Sequence, residues 1–166
     1  MRWHKPPSGF MKCNIDAAIF KEARKTGVAA IIPDSNGDFM ISRMHNCYGI
    51  LEVREAEAKA LLDAILWVVS LDLQNVLFET DSKLVVDAIA SNLADRSEFG
   101  SIVAACCSLL YQEPSYEVRF ARRQANMAAH TLARAANSSA SLFISYDSPA
   151  FISDILFQDC RNSDLN

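Results

Sequence analysis

Three acidic residues occupy positions where a folded chain usually avoids an unpaired carboxylate. Asp16 lies inside the strand-like run of residues 10–20, and Asp81 ends a second such run, residues 76–81. Glu57 falls on the apolar stripe of a helix, in line with Val53, Leu61, Ala64 and Val68. Buried like charges repel and resist ionisation unless a cation neutralises them. Carboxylates that converge from separate elements therefore suggest a divalent cation, and their hard oxygens favour magnesium or manganese. Each residue also has an ordinary reading. Asp16 fits a solvated face or a strand end, Asp81 fits the flank of a helix N-terminus, and Glu57 suits the positive end of a helix dipole, where Glu55 competes with it. His130 stands one turn after Asn126 and one turn before Arg134. A lone helical histidine is more often structural than catalytic.

The elements that must carry these side chains follow from periodicity. An extended Pro-Pro arm over residues 1–9 leads to a strand over 10–20, in which Lys12, Asn14, Asp16 and Ala18 share one face. A turn at 22–27 precedes a very apolar strand at 28–32. Asp34-Ser-Asn-Gly-Asp38 is a hairpin turn, because Asn-Gly supplies the positive φ angles that such turns need. A third strand covers 39–47. The period then changes, with helical spacing over 52–71 and Glu55, Lys59 and Asp63 on the wet face. A short buried strand spans 75–81, and Ser82 can cap a helix over 83–92. A helix within 98–112, a strand at 116–120 and an alanine-rich helix at 125–136 complete the pattern. Beyond residue 137 the signals weaken, although Pro149 can start a short helix through 157. The order β-β-β-α-β-α-α-β-α is that of an α/β domain: a mixed five-stranded sheet, three strands antiparallel and the later ones parallel, flanked by helices. The domain is expected over 1–138 and a C-terminal tail over 139–166.

Composition narrows the partners. A net charge of −4 gives no global attraction to nucleic acid, so any such binding must be local. Two basic groups are available, Lys21, Arg24 and Lys25, and Arg119, Arg122 and Arg123. The five cysteines form no C-x-x-C pair and sit in apolar runs, which points to buried thiols in a reducing compartment and away from zinc. No apolar stretch approaches the roughly 20 residues that span a bilayer, and the first residues lack the apolar core of a secretory signal. The expectation is an intracellular monomer, nuclear or cytoplasmic, not secreted and without a membrane partner. Asn137-Ser-Ser matches a glycosylation sequon and is read as chance.

Taken together, the motifs resemble those of a known family. The relevant stretches are Trp3-His-Lys-Pro-Pro, Lys12-Cys-Asn-Ile-Asp-Ala-Ala, Asp34-Ser-Asn-Gly-Asp-Phe39 and Arg54-Glu-Ala-Glu-Ala-Lys-Ala-Leu61. Further on come Glu79-Thr-Asp-Ser-Lys83 and Arg122-Arg-Gln-Ala-Asn-Met-Ala-Ala-His-Thr-Leu-Ala-Arg134. Their order and spacing resemble type 1 ribonuclease H, and most of all the plant branch often found in retroelement-derived, reverse-transcriptase-associated proteins. The resemblance implies the ribonuclease H-like fold and a hydrolase that cuts the RNA strand of RNA–DNA hybrids. It implies that Asp16, Glu57, Asp81 and His130 are catalytic and hold two Mg2+ or Mn2+ ions, His130 standing where many members carry a fourth acid. It also implies contacts to nucleic acid from Asn126, Arg122 and Arg123. Two departures favour an alternative, a degenerate module of the same fold that binds nucleic acid or a protein partner without cutting. One is His130 itself, which adds no negative charge, and the other is Ala17, where the family commonly has glycine. A third reading is a nuclease of this fold that acts on DNA.

Overall fold

The alternation read in the first strand sorts its side chains into two layers, one on each side of a sheet. The computed structural model describes residues 6–33, 39–91, 94–138, 142–150 and 152–153. Strand β1 (Met11–Phe20) sends Cys13 and Ile15 into one apolar layer and Ala18 into the other. Strand β2 (Lys25–Pro33) pairs with it antiparallel and is buried on both faces, which its unbroken apolar run anticipates. Strand β3 (Phe39–Tyr48) continues the antiparallel meander. On the other side of β1 lies β4 (Val76–Thr80), parallel to it, and then β5 (Glu117–Phe120), parallel to β4.

Among the described residues the sheet contains six strands and not the expected five, in the order β5-β4-β1-β2-β3-β6. The additional strand, β6 (Leu142–Ser145), pairs antiparallel with β3 in the segment that reads as a tail. Its four residues include no fully buried side chain, so no burial alternation marks it. Backbone pairing with β3 makes it a strand, and backbone pairing leaves no trace in side-chain type.

Helix α1 (Val53–Ser70) packs on one face of the sheet with α2 (Lys83–Ser91) and α3 (Glu98–Gln112). Ser82 accepts the Val85 N–H at 3.4 Å, the cap that its position suggested. The opposite face is covered by α4 (Met127–Ala135), whose Ala129, Leu132 and Ala133 pack on Ala29, Ile31 and Met44. The helix expected over 125–136 is interrupted. A 3-10 turn at Arg123–Ala125 precedes Asn126, whose φ of −123° and ψ of 17° are not helical. Helix α4 lies against β2 closely enough that a Cβ on Gly27 would come within 2.8 Å of the Ala133 carbonyl oxygen.

The helical turn expected at Pro149 begins there, with the Ile152 N–H donated to the Pro149 carbonyl at 2.9 Å. The 34–38 hairpin turn, arm residues 1–5, the rest of the 149–157 helix, the glycosylation serine at 139 and Cys160 lie outside the described residues. Cys13 and Cys106 are buried and Cys47 and Cys107 half-buried, all as free thiols. Burial pushes the Cys106 thiol up to about 12. No helix among the described residues is long and apolar enough to cross a membrane.

Away from the three acids, one polar cluster ties α1 to β3. Asp63 accepts from Lys59 Nζ at 2.6 Å, and His45 Nε2 lies 2.9 Å from its other oxygen. Burial pushes the Asp63 carboxyl up, but the bonds from His45 and Lys59 outweigh it and hold the group below its usual 3.8. A lowered carboxyl stabilises the fold above its unfolded pKa, and the contribution disappears as pH falls through the native value. Asp63→Asn should therefore cost about 1–3 kcal/mol at neutral pH. In urea titrations the gap from wild type should close as pH drops below 3.8.

Candidate metal centre

Position along the sheet decides which acids meet. Asp16 pairs in register with Ala29 of β2, and Asp81 follows β4, the parallel neighbour of β1 on its other side. Asp81 therefore arises at the carboxyl end of β4, where α/β sheets gather ligand sites, and Asp16 lies mid-strand, just past the last parallel pair of β1 and β4, Asn14 with Glu79. Glu57 comes from the second turn of α1. Competition between Glu55 and Glu57 for the helix start is settled by hydrogen bonding. Glu55 accepts the Glu52 N–H at 3.1 Å and serves the cap, leaving Glu57 to turn inward.

One carboxylate oxygen from each of Asp16, Glu57 and Asp81 lies within 4.8 Å of the other two. Asp16 is fully buried and Glu57 is 7% exposed. His130 Nδ1 sits 2.7 Å from Asp16 Oδ2, and Arg123 donates from Nε to Asp81 Oδ2 at 2.8 Å. Asp16 Oδ1 and Glu57 Oε2 remain buried with no hydrogen-bond partner among the described residues. An orphaned buried carboxylate oxygen is costly, and two in one cluster need a common explanation.

The electrostatics follow from this geometry. Burial pushes the Glu57 carboxyl up to about 9, with the charges of Asp16 and Asp81 adding to the rise and Arg123 opposing it. Asp16 is also raised, by burial first and by Asp81 next, against the hydrogen bond from His130. Hydrogen bonding to Asp81 raises Arg123 and keeps it charged. A divalent cation fits this donor set. It would be held by the unpartnered oxygens of Asp16 and Glu57 together with Asp81, all of them hard ligands.

Seven residues were candidates in the sequence. The structure gathers Asp16, Glu57 and Asp81, and seats His130 against the first and Arg123 against the third. Arg122 is exposed next to Arg123. Asn126 is buried, with both ends of its amide used inside the protein: Nδ2 donates to the Ile15 carbonyl at 2.8 Å, and Oδ1 accepts from Asn14 at 3.1 Å. Sequence reasoning missed a role for Lys12, Asn14 and Glu79, a chain of contacts that reaches Asn126 through Asn14. Their signal was available in Asn14-x-Asp16 and Glu79-x-Asp81, each placing a polar residue two positions before an acid on the same strand face.

Comparisons with known proteins agree with this architecture. The reverse transcriptase-like family model matches residues 14–136. No curated protein sequence matches the chain significantly. Among solved structures, RNase H1 from the halophilic archaeon Halobacterium salinarum superposes with a TM-score of 0.70 at 18% identity, over 80% of this chain and 100% of that one. LC11-RNase H1 in complex with an RNA/DNA hybrid gives 0.66 at 17% identity, covering 77% of this chain and 96% of that one. Prototype foamy virus protease-reverse transcriptase gives 0.65 at 15% identity, over 82% of this chain and 22% of that one. At these identities the likeness is one of fold, the ribonuclease H-like fold that the motifs implied.

The raised Glu57 sets the sign of a stability measurement. Folding takes up a proton between the unfolded value of 4.5 and the native value of about 9. Its contribution is thus intact below 4.5 and lost as pH rises toward 9. The metal-free protein should lose melting temperature over that range in thermal scans. Glu57→Gln should flatten the slope, and so should a millimolar divalent cation added to wild type.

Proposed function

The chain belongs to the reverse transcriptase-like family, and from that premise we propose that it is a metal-dependent endoribonuclease that cuts the RNA strand of RNA–DNA hybrids. The observation that carries this reading is the convergence of three carboxylates with two unpartnered buried oxygens. All the residues involved come from one chain, so a monomer suffices. Two bound magnesium or manganese ions would supply an activated water and stabilise the departing 3′ oxygen of an in-line displacement.

The protein's own residues prepare that chemistry. Asp16, Glu57 and Asp81 supply the ligand oxygens. His130 occupies Asp16 Oδ2 and so leaves Oδ1 for the centre, which makes it a positioning neighbour of the site as well as a fourth candidate ligand. Arg123, with its side chain mostly exposed and one edge on Asp81, offers its remaining donors to a phosphate. Arg122 extends the same cationic edge. Asn126 serves by fixing the turn that bears Arg123. Choice of RNA would rest on groove shape and the 2′-hydroxyl and not on base identity. That LC11-RNase H1 was captured with an RNA/DNA hybrid supports the substrate class.

One observation favours a second reading, a module that binds hybrid without cutting. Arg123 already offsets part of the negative charge and His130 occupies one Asp16 oxygen, as they would in a centre that no longer needs metal.

A labelled hybrid incubated with Mg2+ or Mn2+ separates the two. Cutting should require the cation, and Asp81→Asn should reduce it by at least about 100-fold. Cutting that survives Asp81→Asn would remove the site from the mechanism. Hybrid binding with no cutting by wild type would establish the second reading. Independently, Arg123→Ala should weaken hybrid binding and lower the salt dependence of log K by about one unit in fluorescence anisotropy.

A further inference from the structure

Two side chains that touch the acids, Arg123 and His130, are borne by a single short stretch of chain. A buried polar relay on the same face of the sheet reaches that stretch. Lys12 is 2% exposed, and its Nζ lies 3.1 Å from Glu79 Oε1. Asn14 Nδ2 donates to Glu79 Oε2 at 3.3 Å and to Asn126 Oδ1 at 3.1 Å. Asn126 in turn donates to the carbonyl of Ile15, the residue before Asp16. Asn14 and Glu79 are register partners across β1 and β4. The relay therefore lies one step along the same face from Asp16 and Asp81.

We propose that Lys12, Glu79 and Asn14 are positioning residues that act through Asn126 to hold His130 against Asp16 and Arg123 against Asp81. Their importance for cutting rests on the ribonuclease reading; the positioning itself does not. Each link fixes the orientation of the next. Glu79, paired with Lys12, can only accept, so Asn14 must turn its NH2 toward it. That NH2 also faces Asn126, which must answer with its carbonyl oxygen. The Asn126 NH2 is then left for the Ile15 carbonyl, and the first turn of α4 is locked to β1 in one rotation.

Asn126 is the pivot of this arrangement. Its N–H donates to the Arg123 carbonyl at 2.9 Å, and its carbonyl accepts the His130 N–H at 3.0 Å. Apolar packing from Ala129, Leu132 and Ala133 holds the body of α4 on the sheet. Apolar contact is non-directional, however, and does not choose the rotation of the first turn. A buried ion pair contributes little net stability over well-packed apolar residues, but its geometry can select one arrangement. Stability and positioning can therefore be separated by experiment.

Two double variants do so. Lys12→Met with Glu79→Gln removes both charges and keeps an acceptor for Asn14; Lys12→Met with Glu79→Leu removes the acceptor as well. Both should melt within a few degrees of wild type. In the metal-free protein, the ring resonances of His130 should stay at wild-type positions in the Gln variant and should shift and broaden in the Leu variant. On a hybrid substrate, kcat of the Leu variant should fall by about 10- to 100-fold with little change in KM. If wild type cuts nothing, an unchanged contrast in the His130 resonances still supports the positioning while the ribonuclease reading fails. Wild-type His130 resonances in the Leu variant would overturn the proposal. So would a parallel loss of melting temperature and His130 signal in both variants, which would make the relay a general structural support.

Discussion

Repulsion among carboxylates confined in a dry pocket is the constraint around which this molecule is built. A charge taken out of water loses solvation worth several kcal/mol, and neighbouring like charges add to that cost. The chain resists by placing the acids on elements that cannot retreat. Asp16 belongs to β1, which is paired on both sides, and Asp81 follows the strand beside it. Glu57 stands on an 18-residue helix anchored by Leu61, Ile65 and Val68 in the larger apolar layer. Rigid supports of this kind keep the charges together whether or not they are neutralised. Arg123 offsets the repulsion in part and His130 occupies one Asp16 oxygen, and the unpartnered oxygens of Asp16 and Glu57 define where a cation fits.

Much of this was legible in the residue pattern because an acid on an apolar stripe breaks a rule that the rest of the stripe obeys. Glu57 stood out against Leu61, Ala64 and Val68, and the helix boundaries followed from the same periodicity. Ser82 announced its cap by chemistry and position. What escaped was held by forces that leave no periodic mark. Strand β6 exists through main-chain pairing with β3, and its exposed side chains gave no alternation. The late start of α4 goes with Asn126, which commits its amide to β1, a contact 111 residues away along the chain. Lys12 is the clearest example. Nothing in its neighbours along the strand marks it as buried, and its ion pair reaches Glu79 on the neighbouring strand.

The two faces of the sheet divide the labour. The layer under α1 is apolar over a long contiguous run, from Cys13 and Ile15 to Phe78 and Tyr116. The layer under α4 is smaller, and polar groups occupy its end nearest the acids. Stability is concentrated where side chains carry no chemistry, and directional bonds are concentrated where orientation matters.

The close approach of α4 to β2 at Gly27 gives this division a practical edge. A side chain at that position would meet a backbone carbonyl, which cannot rotate out of the way, so the helix itself would have to lift. The main apolar layer, on the far side of the sheet, would scarcely register the displacement. A lesion at a residue with no functional group would thus appear first as a displaced His130 and Arg123 in a protein that is still folded, and would be easily mistaken for damage to the acids themselves.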